Sequence, residues 1–126
     1  MDLSGNELRH IDMQYLRSLK NLRVLVLSAN PLSAITNTVP SGPGTMVLQT
    51  IDLSGTSLDV YNGSALAGCR NLKTFNISWI IKLTTITVEG FQSTPLLENL
   101  DVRGSPLKDF PNDLLRCLVS LKVVLC

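Results

Sequence analysis

Few residues of this chain could do chemistry, and their spacing narrows what that chemistry is. The soft and imidazole ligands are three cysteines, Cys69, Cys117 and Cys126, and one histidine, His10. No two of them stand at the short spacing of a zinc site, so no metal is expected. No Ser or Cys nucleophile joins His10 in a recognisable motif, and Gly42-Pro43-Gly44 lacks the Lys-Ser/Thr of a phosphate-binding loop. No catalytic residue is assigned, and neither an enzyme nor a cofactor is expected. What remains is recognition chemistry: the carboxylates Asp52, Glu98 and Asp101, the amide of Asn76, the guanidinium of Arg103, and Trp79, the one tryptophan. Two sequons, Asn62-Gly63-Ser64 and Asn76-Ile77-Ser78, make Asn62 and Asn76 candidate glycosylation sites.

The composition restricts partners further. The 126 residues suffice for one domain. A net charge of +1 lacks the basic excess that nucleic-acid binding needs, so no nucleic-acid partner is expected. With 44% hydrophobic and 17% charged residues the chain is not of disordered composition. No apolar run approaches the roughly 18 residues of a membrane-spanning helix. Leucine occurs 23 times and aromatic residues six times, the composition of a core in which one kind of slot is filled repeatedly.

Those leucines are periodic. Leu22-x-x-Leu25-x-Leu27-x-x-Asn30-x-Leu32 recurs as Leu48-x-x-Ile51-x-Leu53-x-x-Thr56-x-Leu58, then as Leu72-x-x-Phe75-x-Ile77. It returns as Leu97-x-x-Leu100-x-Val102-x-x-Ser105-x-Leu107 and, in part, as Leu121-x-x-Val124-x-Cys126. Met1-x-Leu3-x-x-Asn6-x-Leu8 is the same text without its first three positions. Leu16, Leu66, Phe91 and Leu115 repeat six residues before the leading leucine, as in an F-x-G-L segment. This is a leucine-rich repeat. The expected fold is an α/β repeat solenoid, a horseshoe spanning residues 1–126. It has a concave parallel β-sheet and convex returns through 3₁₀ turns, short helices or loops. Period-2 alternation places strand units near residues 1–4, 23–28, 49–54, 73–78, 98–103 and 122–126. Asn6 and Asn30 sit where the chain turns inward and can bond backbone groups freed by the turn. Thr56 and Ser105 keep a hydroxyl in that slot. Ile80 has nothing to offer there, and its unit needs one inserted residue, so a local bulge is expected. Residues 38–45 replace the convex segment of their unit and read as an irregular loop.

This register places the candidate residues. The outward column of the concave sheet runs Asp2, Val26, Asp52, Asn76, Asp101, Leu125. Flanking outward positions include Ser78, Trp79, Glu98, Asn99 and Arg103. At about 4.8 Å per strand, Asp52 and Asp101 lie roughly 10 Å apart with Asn76 between them. With Glu98 they form an acidic strip able to meet Arg or Lys of a peptide. The same carboxylates would equally serve to solubilise an exposed strand. Trp79 is either an exposed hot spot or filler for the irregular turn. A glycan on Asn76 would occupy part of this face. Cys69 and Cys117 read as buried structural thiols.

The segments Leu97-Glu98-Asn99-Leu100-Asp101-Val102-Arg103-Gly104-Ser105-Pro106-Leu107-Lys108-Asp109-Phe110-Pro111 and Leu114-Leu115-Arg116-Cys117-Leu118-Val119-Ser120-Leu121-Lys122-Val123-Val124 carry a resemblance. They are similar to the ectodomains of leucine-rich-repeat G-protein-coupled receptors, in particular the relaxin-receptor-like branch. In that family such text forms the last repeat before a cysteine-rich hinge and a seven-helix membrane domain. The resemblance implies a peptide or protein ligand on the concave face, held by acidic residues there. It also implies an extracellular location. The half-repeats at both ends are expected of uncapped ends, a piece of a longer array with any membrane domain downstream. The alternative is a cytoplasmic scaffold or adaptor built from the same repeats.

Overall fold

The computed structural model describes residues 1–37, 46–61, 63–87, 91–108, 116 and 118–126. Its backbone winds as a parallel solenoid of leucine-rich-repeat type. Each coil contributes one three-residue strand to a five-stranded parallel sheet: β2 (Val24–Val26), β4 (Thr50–Asp52), β6 (Thr74–Asn76), β8 (Asn99–Asp101) and β9 (Val123–Leu125). The register is unbroken: Leu25, Ile51, Phe75, Leu100 and Val124 lie opposite one another in turn. A bridge from Asp2 to Val26 extends the ladder to the first coil.

Alternation decides which side chains enter the core. Leu25, Ile51, Phe75 and Leu100 point inward and are buried, as are Leu27, Leu53, Ile77 and Val102 two residues on. The leading leucines Leu48, Leu72 and Leu97 close the far side of each coil. Each buried leucine contributes about 1.5–3 kcal/mol, but only because the next coil covers it. Half of the scarce aromatic residues form one central plug. Tyr61 lies 5.3 Å from Phe75 and 5.4 Å from Phe91, ring centre to ring centre, in tilted contacts.

The sequence did not announce two further small sheets. After each turn the chain runs through a short strand: β1 (His10–Asp12) pairs with β3 (Ala34–Thr36), and β5 (Val60–Tyr61) pairs with β7 (Thr85–Ile86), all parallel. Tyr61 stands opposite Ile86 and so takes the apolar slot that Ile11 and Ile35 share in their own pair. The returns are 3₁₀ turns over Met13–Leu16 and Gly63–Leu66, with almost no α-helix among the described residues. The expected loop at 38–45, Phe110, Leu115 and Cys117 lie outside the described residues.

The turn after each sheet strand follows one rule. Its second residue is left-handed: Gly5, Ala29, Gly55, Trp79 and Gly104 have φ between +55° and +73°. That conformation aims the residue's N–H at the next coil. Ala29 donates to the Ser54 carbonyl at 3.0 Å and Trp79 to that of Arg103 at 2.7 Å. The inward-turning Asn then ties coils together. Asn30 Nδ2 donates to the carbonyls of Leu27 (3.0 Å) and of Leu3 in the preceding coil (2.9 Å), and Oδ1 accepts from Leu8 N–H. Thr56 reaches only Leu53 of its own coil, at 2.8 Å.

The local bulge expected near Ile80 is present, but it lies outside the sheet. The β6 ladder continues through this coil, and Ile80 is fully buried. The extra residue is absorbed in the exposed turn at Ile81 and Lys82. Ser105 of the following coil supplies what Ile80 lacks. Its hydroxyl donates to the Ile77 carbonyl at 2.8 Å and accepts from the Ile80 N–H at 3.1 Å.

These bonds make a stability prediction. Asn30→Ala leaves buried carbonyl and amide groups unpaired and is expected to cost about 2–3 kcal/mol in urea unfolding. Asn6 makes the same local bonds in solvent, so Asn6→Ala is expected to cost about 1 kcal/mol or less. Equal costs would show that burial of the amide is not what matters.

Candidate functional site

The open face of the five-stranded sheet carries the candidate residues in three rows. The central row is Val26, Asp52, Asn76, Asp101 and Leu125, neighbours by strand register. Beside it run Val24, Thr50, Thr74, Asn99 and Val123. Arg23, Gln49, Lys73, Glu98 and Lys122 precede them, joined by backbone bonds such as Lys73 N–H to the Gln49 carbonyl at 2.8 Å. Asp52, Asn76 and Asp101 are therefore brought together as adjacent side chains of three paired strands.

Each acidic or amide side chain of the central row also does structural work. Asp2, Asp52, Asn76 and Asp101 each accept, through Oδ1, the N–H of the residue two positions on, at 2.9–3.1 Å. This Asx turn opens the left-handed corner that follows. The signal was present in the sequence as Asp-Leu-Ser-Gly at 2–5 and 52–55, Asn-Ile-Ser-Trp at 76–79 and Asp-Val-Arg-Gly at 101–104. An Asx residue three positions before a left-handed corner is turn chemistry, whatever else the face binds.

Electrostatics divides the strip. Arg103 does not stand free on the face: it folds back on Asp101, with Nε to Oδ1 at 3.1 Å and Nη2 to Oδ2 at 2.8 Å. The hydrogen bonds from Arg103 hold the Asp101 carboxyl below its usual value, against the burial that would raise it. Glu98 faces Lys122 at 3.6 Å. Among the described residues no cation is placed against Asp52, whose Oδ1 accepts the Ser54 N–H at 2.9 Å. Asp52 is thus the carboxylate of the strip best placed to meet a cation from outside.

Next to it the face dips. A hollow of about 250 Å³ is lined by Thr74, Asn76, Asn99, Asp101, Val123 and Leu125, with Phe75 and Leu100 beneath. Amide, hydroxyl and carboxylate groups form one side, and two aliphatic side chains about 40% exposed form the other. The sequence reading put Leu125 in the column but overlooked Val123, which alternation alone makes an ordinary strand valine.

Two expectations change. Ser78 is not an outward residue: it is 3% exposed, and its hydroxyl donates to Asn76 Oδ1 at 2.6 Å. Trp79 is 64% exposed, but it sits at the corner beyond the strand rather than on the sheet face. Its ring lies against Gly104, where any Cβ would collide with the indole. Ile81, 76% exposed, stands two residues on. Asn62 lies outside the described residues.

Cys69 is wholly buried, with Sγ 3.8 Å from the Met46 sulfur, and burial pushes its thiol up to about 11. It is inert packing; Cys126 is an exposed free thiol. Among the described residues no three His, Cys, Asp or Glu side chains are grouped to hold a metal, and no helix is long and apolar enough to cross a membrane. A scan against protein-family profiles found no match, and no curated protein matches the chain at a significant level.

Two measurements separate turn chemistry from charge. Asp52→Asn keeps the Oδ1 acceptor, as Asn76 does in its own coil, and is expected to leave stability within about 0.5 kcal/mol. Asp52→Ala removes the acceptor and is expected to cost about 1 kcal/mol. Acid titration tests the Arg103 pair. The folded Asp101 value lies below the unfolded one of about 3.9, so its stabilisation is present above that pH and is lost as pH falls through the folded value. The urea midpoint is expected to drop below about pH 4, less steeply in Arg103→Gln. Identical slopes would count against the pair.

Proposed function

We propose that this chain is a protein-binding module: part of the ectodomain of a cell-surface receptor for a peptide or protein hormone, signalling through G proteins. The single observation that carries the reading is the hollow on the open sheet face. There an aliphatic wall, the amides of Asn76 and Asn99 and the Asp101 carboxylate meet within three strands, with Asp52 on the adjoining strand beside Asn76. Such a surface suits an extended segment that offers one apolar side chain and one cation: the apolar group fills the hollow and the cation faces Asp52. Asp101 is already neutralised by Arg103 and orders the corner beside the hollow. The receptor branch rests on the resemblance of residues 97–124, and the chain itself performs no reaction in this reading.

A second reading is an intracellular scaffold built from the same repeats. The observation in its favour is that Cys69 and Cys126 are free thiols, the ordinary state in a reducing compartment.

The test is a binding screen of the secreted full chain against a panel of basic peptide hormones, by surface plasmon resonance. A ligand is expected whose affinity falls about tenfold in Asp52→Asn, equal to about 1.4 kcal/mol, and weakens with salt. Val123→Lys is expected to abolish the same binding. A ligand indifferent to both substitutions would overturn the assignment to this face. Binding confined to cytosolic partners would promote the scaffold.

A further inference from the structure

The sequon at Asn76 lies in the hollow itself. Asn76 is the central residue of β6, paired through its backbone with β4 and β8 on either side. Its Oδ1 accepts both the Ser78 N–H at 2.9 Å and the Ser78 hydroxyl at 2.6 Å. Ser78, the second recognition element of the sequon, is 3% exposed. A transferase must hold the Asn and Ser of its acceptor in an unpaired segment. In the folded chain the segment is paired on both edges and the serine is covered.

Folding and glycosylation therefore compete, but a glycan once attached does not oppose the fold. The modification substitutes Nδ2 alone and leaves Oδ1, the atom that makes both bonds to Ser78. The side chain belongs to the outward row, so the sugar projects into the open hollow between Thr74, Asn99, Asp101, Val123 and Leu125. The hollow of about 250 Å³ opens directly beside the atom to which the first sugar is attached.

We propose that Asn76 is a glycan acceptor only before its coil closes, and that a glycan there shuts the ligand face for the life of the molecule. Two forms of the chain would then exist, one with an open hollow and one with a sealed hollow. The step is group transfer from a lipid-linked oligosaccharide pyrophosphate. A bond forms between Asn76 Nδ2 and the anomeric carbon, and the anomeric C–O bond to the pyrophosphate breaks. The pyrophosphate oxygen keeps that electron pair, and the amide proton passes to a base of the transferase. The inference deepens the extracellular reading above and rests on it for its setting in the cell.

The test uses the full chain carrying Asn62→Gln, so that Asn76 is the one acceptor, with microsomal oligosaccharyltransferase and lipid-linked oligosaccharide. Chain diluted from urea directly into the reaction is expected to gain glycan at Asn76, read by peptide mass. Chain folded beforehand is expected to react at least about tenfold more slowly, because acceptance then requires local opening. Adding Ser78→Ala is expected to abolish transfer. Equal rates for folded and unfolded chain, or no transfer to either, overturn the proposal.

A second arm reads the hollow. Val123→Cys is labelled with a bulky maleimide, and the site of labelling is mapped by peptide mass. The full glycoform is expected to react at least about tenfold more slowly than the same chain without glycan. Equal labelling overturns the sealing of the face. So does a glycosylated chain that fails to regain the circular dichroism of the unmodified one. No hormone enters either arm, so a chain that passes both and yet binds no peptide would sink the receptor reading alone.

Discussion

Everything in this solenoid depends on one constraint: the corner after each sheet strand must aim a backbone N–H at the coil that follows. A coil cannot bury its own leucines, so its stability is its neighbour's cover. Cover requires register, and the corners fix register where the strands are only three residues long. The corner needs a left-handed residue, an Asx oxygen to start the turn and an inward amide or hydroxyl to collect the groups the turn sets free. Where all three are present, as at Asp2, Gly5 and Asn6, the sequence is regular. Where the inward group is missing, a neighbour compensates: Ser105 reaches back to Ile77 and Ile80 because Ile80 cannot.

Trp79 shows how far the constraint extends. A bulky residue at φ +55° stands where three other coils have glycine and one has alanine. The left-handed region disfavours such side chains by roughly 1–2 kcal/mol. Part of the compensation is visible: the indole lies on Gly104, which has no Cβ to keep it off. The pair is matched in both directions. Any side chain at 104 would evict the ring, and a small residue at 79 would uncover the corner.

The fold was legible in the sequence because its signal is repetitive. Five copies of one alternation fix the strand order, the parallel sense and the outward column of the sheet without any long-range guess. The two small sheets were not legible. Each of β1, β3, β5 and β7 carries a single recurring apolar residue, Ile11, Ile35, Tyr61 or Ile86, so no alternation emerges to mark a strand. The buried serine of the Asn76 sequon was missed for a similar reason. Position parity makes Ser78 outward, but the corner begins there and rolls the side chain under. The Arg103–Asp101 pair could not be inferred either, since residues i and i+2 of a strand share a face without having to touch. The strand ended at Asp101, and the turn brought the two together.

The candidate binding face and the stabilising corners use the same atoms, and that fixes how the face can change. Each Asx residue offers the turn one oxygen and offers the solvent the rest of its head group. Asp and Asn are interchangeable for the turn but opposite in what they present: a carboxylate draws a cation, whereas an amide is neutral and, in a sequon, can be glycosylated. Along the central row the chain carries Asp52, Asn76 and Asp101, so charge alternates while turn chemistry does not. At positions 52 and 76, where no ion pair depends on the head group, exchanges between Asp and Asn therefore retune the face at almost no structural cost. Exchanges to an aliphatic residue, as at Val26 and Leu125, give up the turn oxygen to gain apolar surface. The hollow beside Leu125 is where that second kind of exchange meets the first.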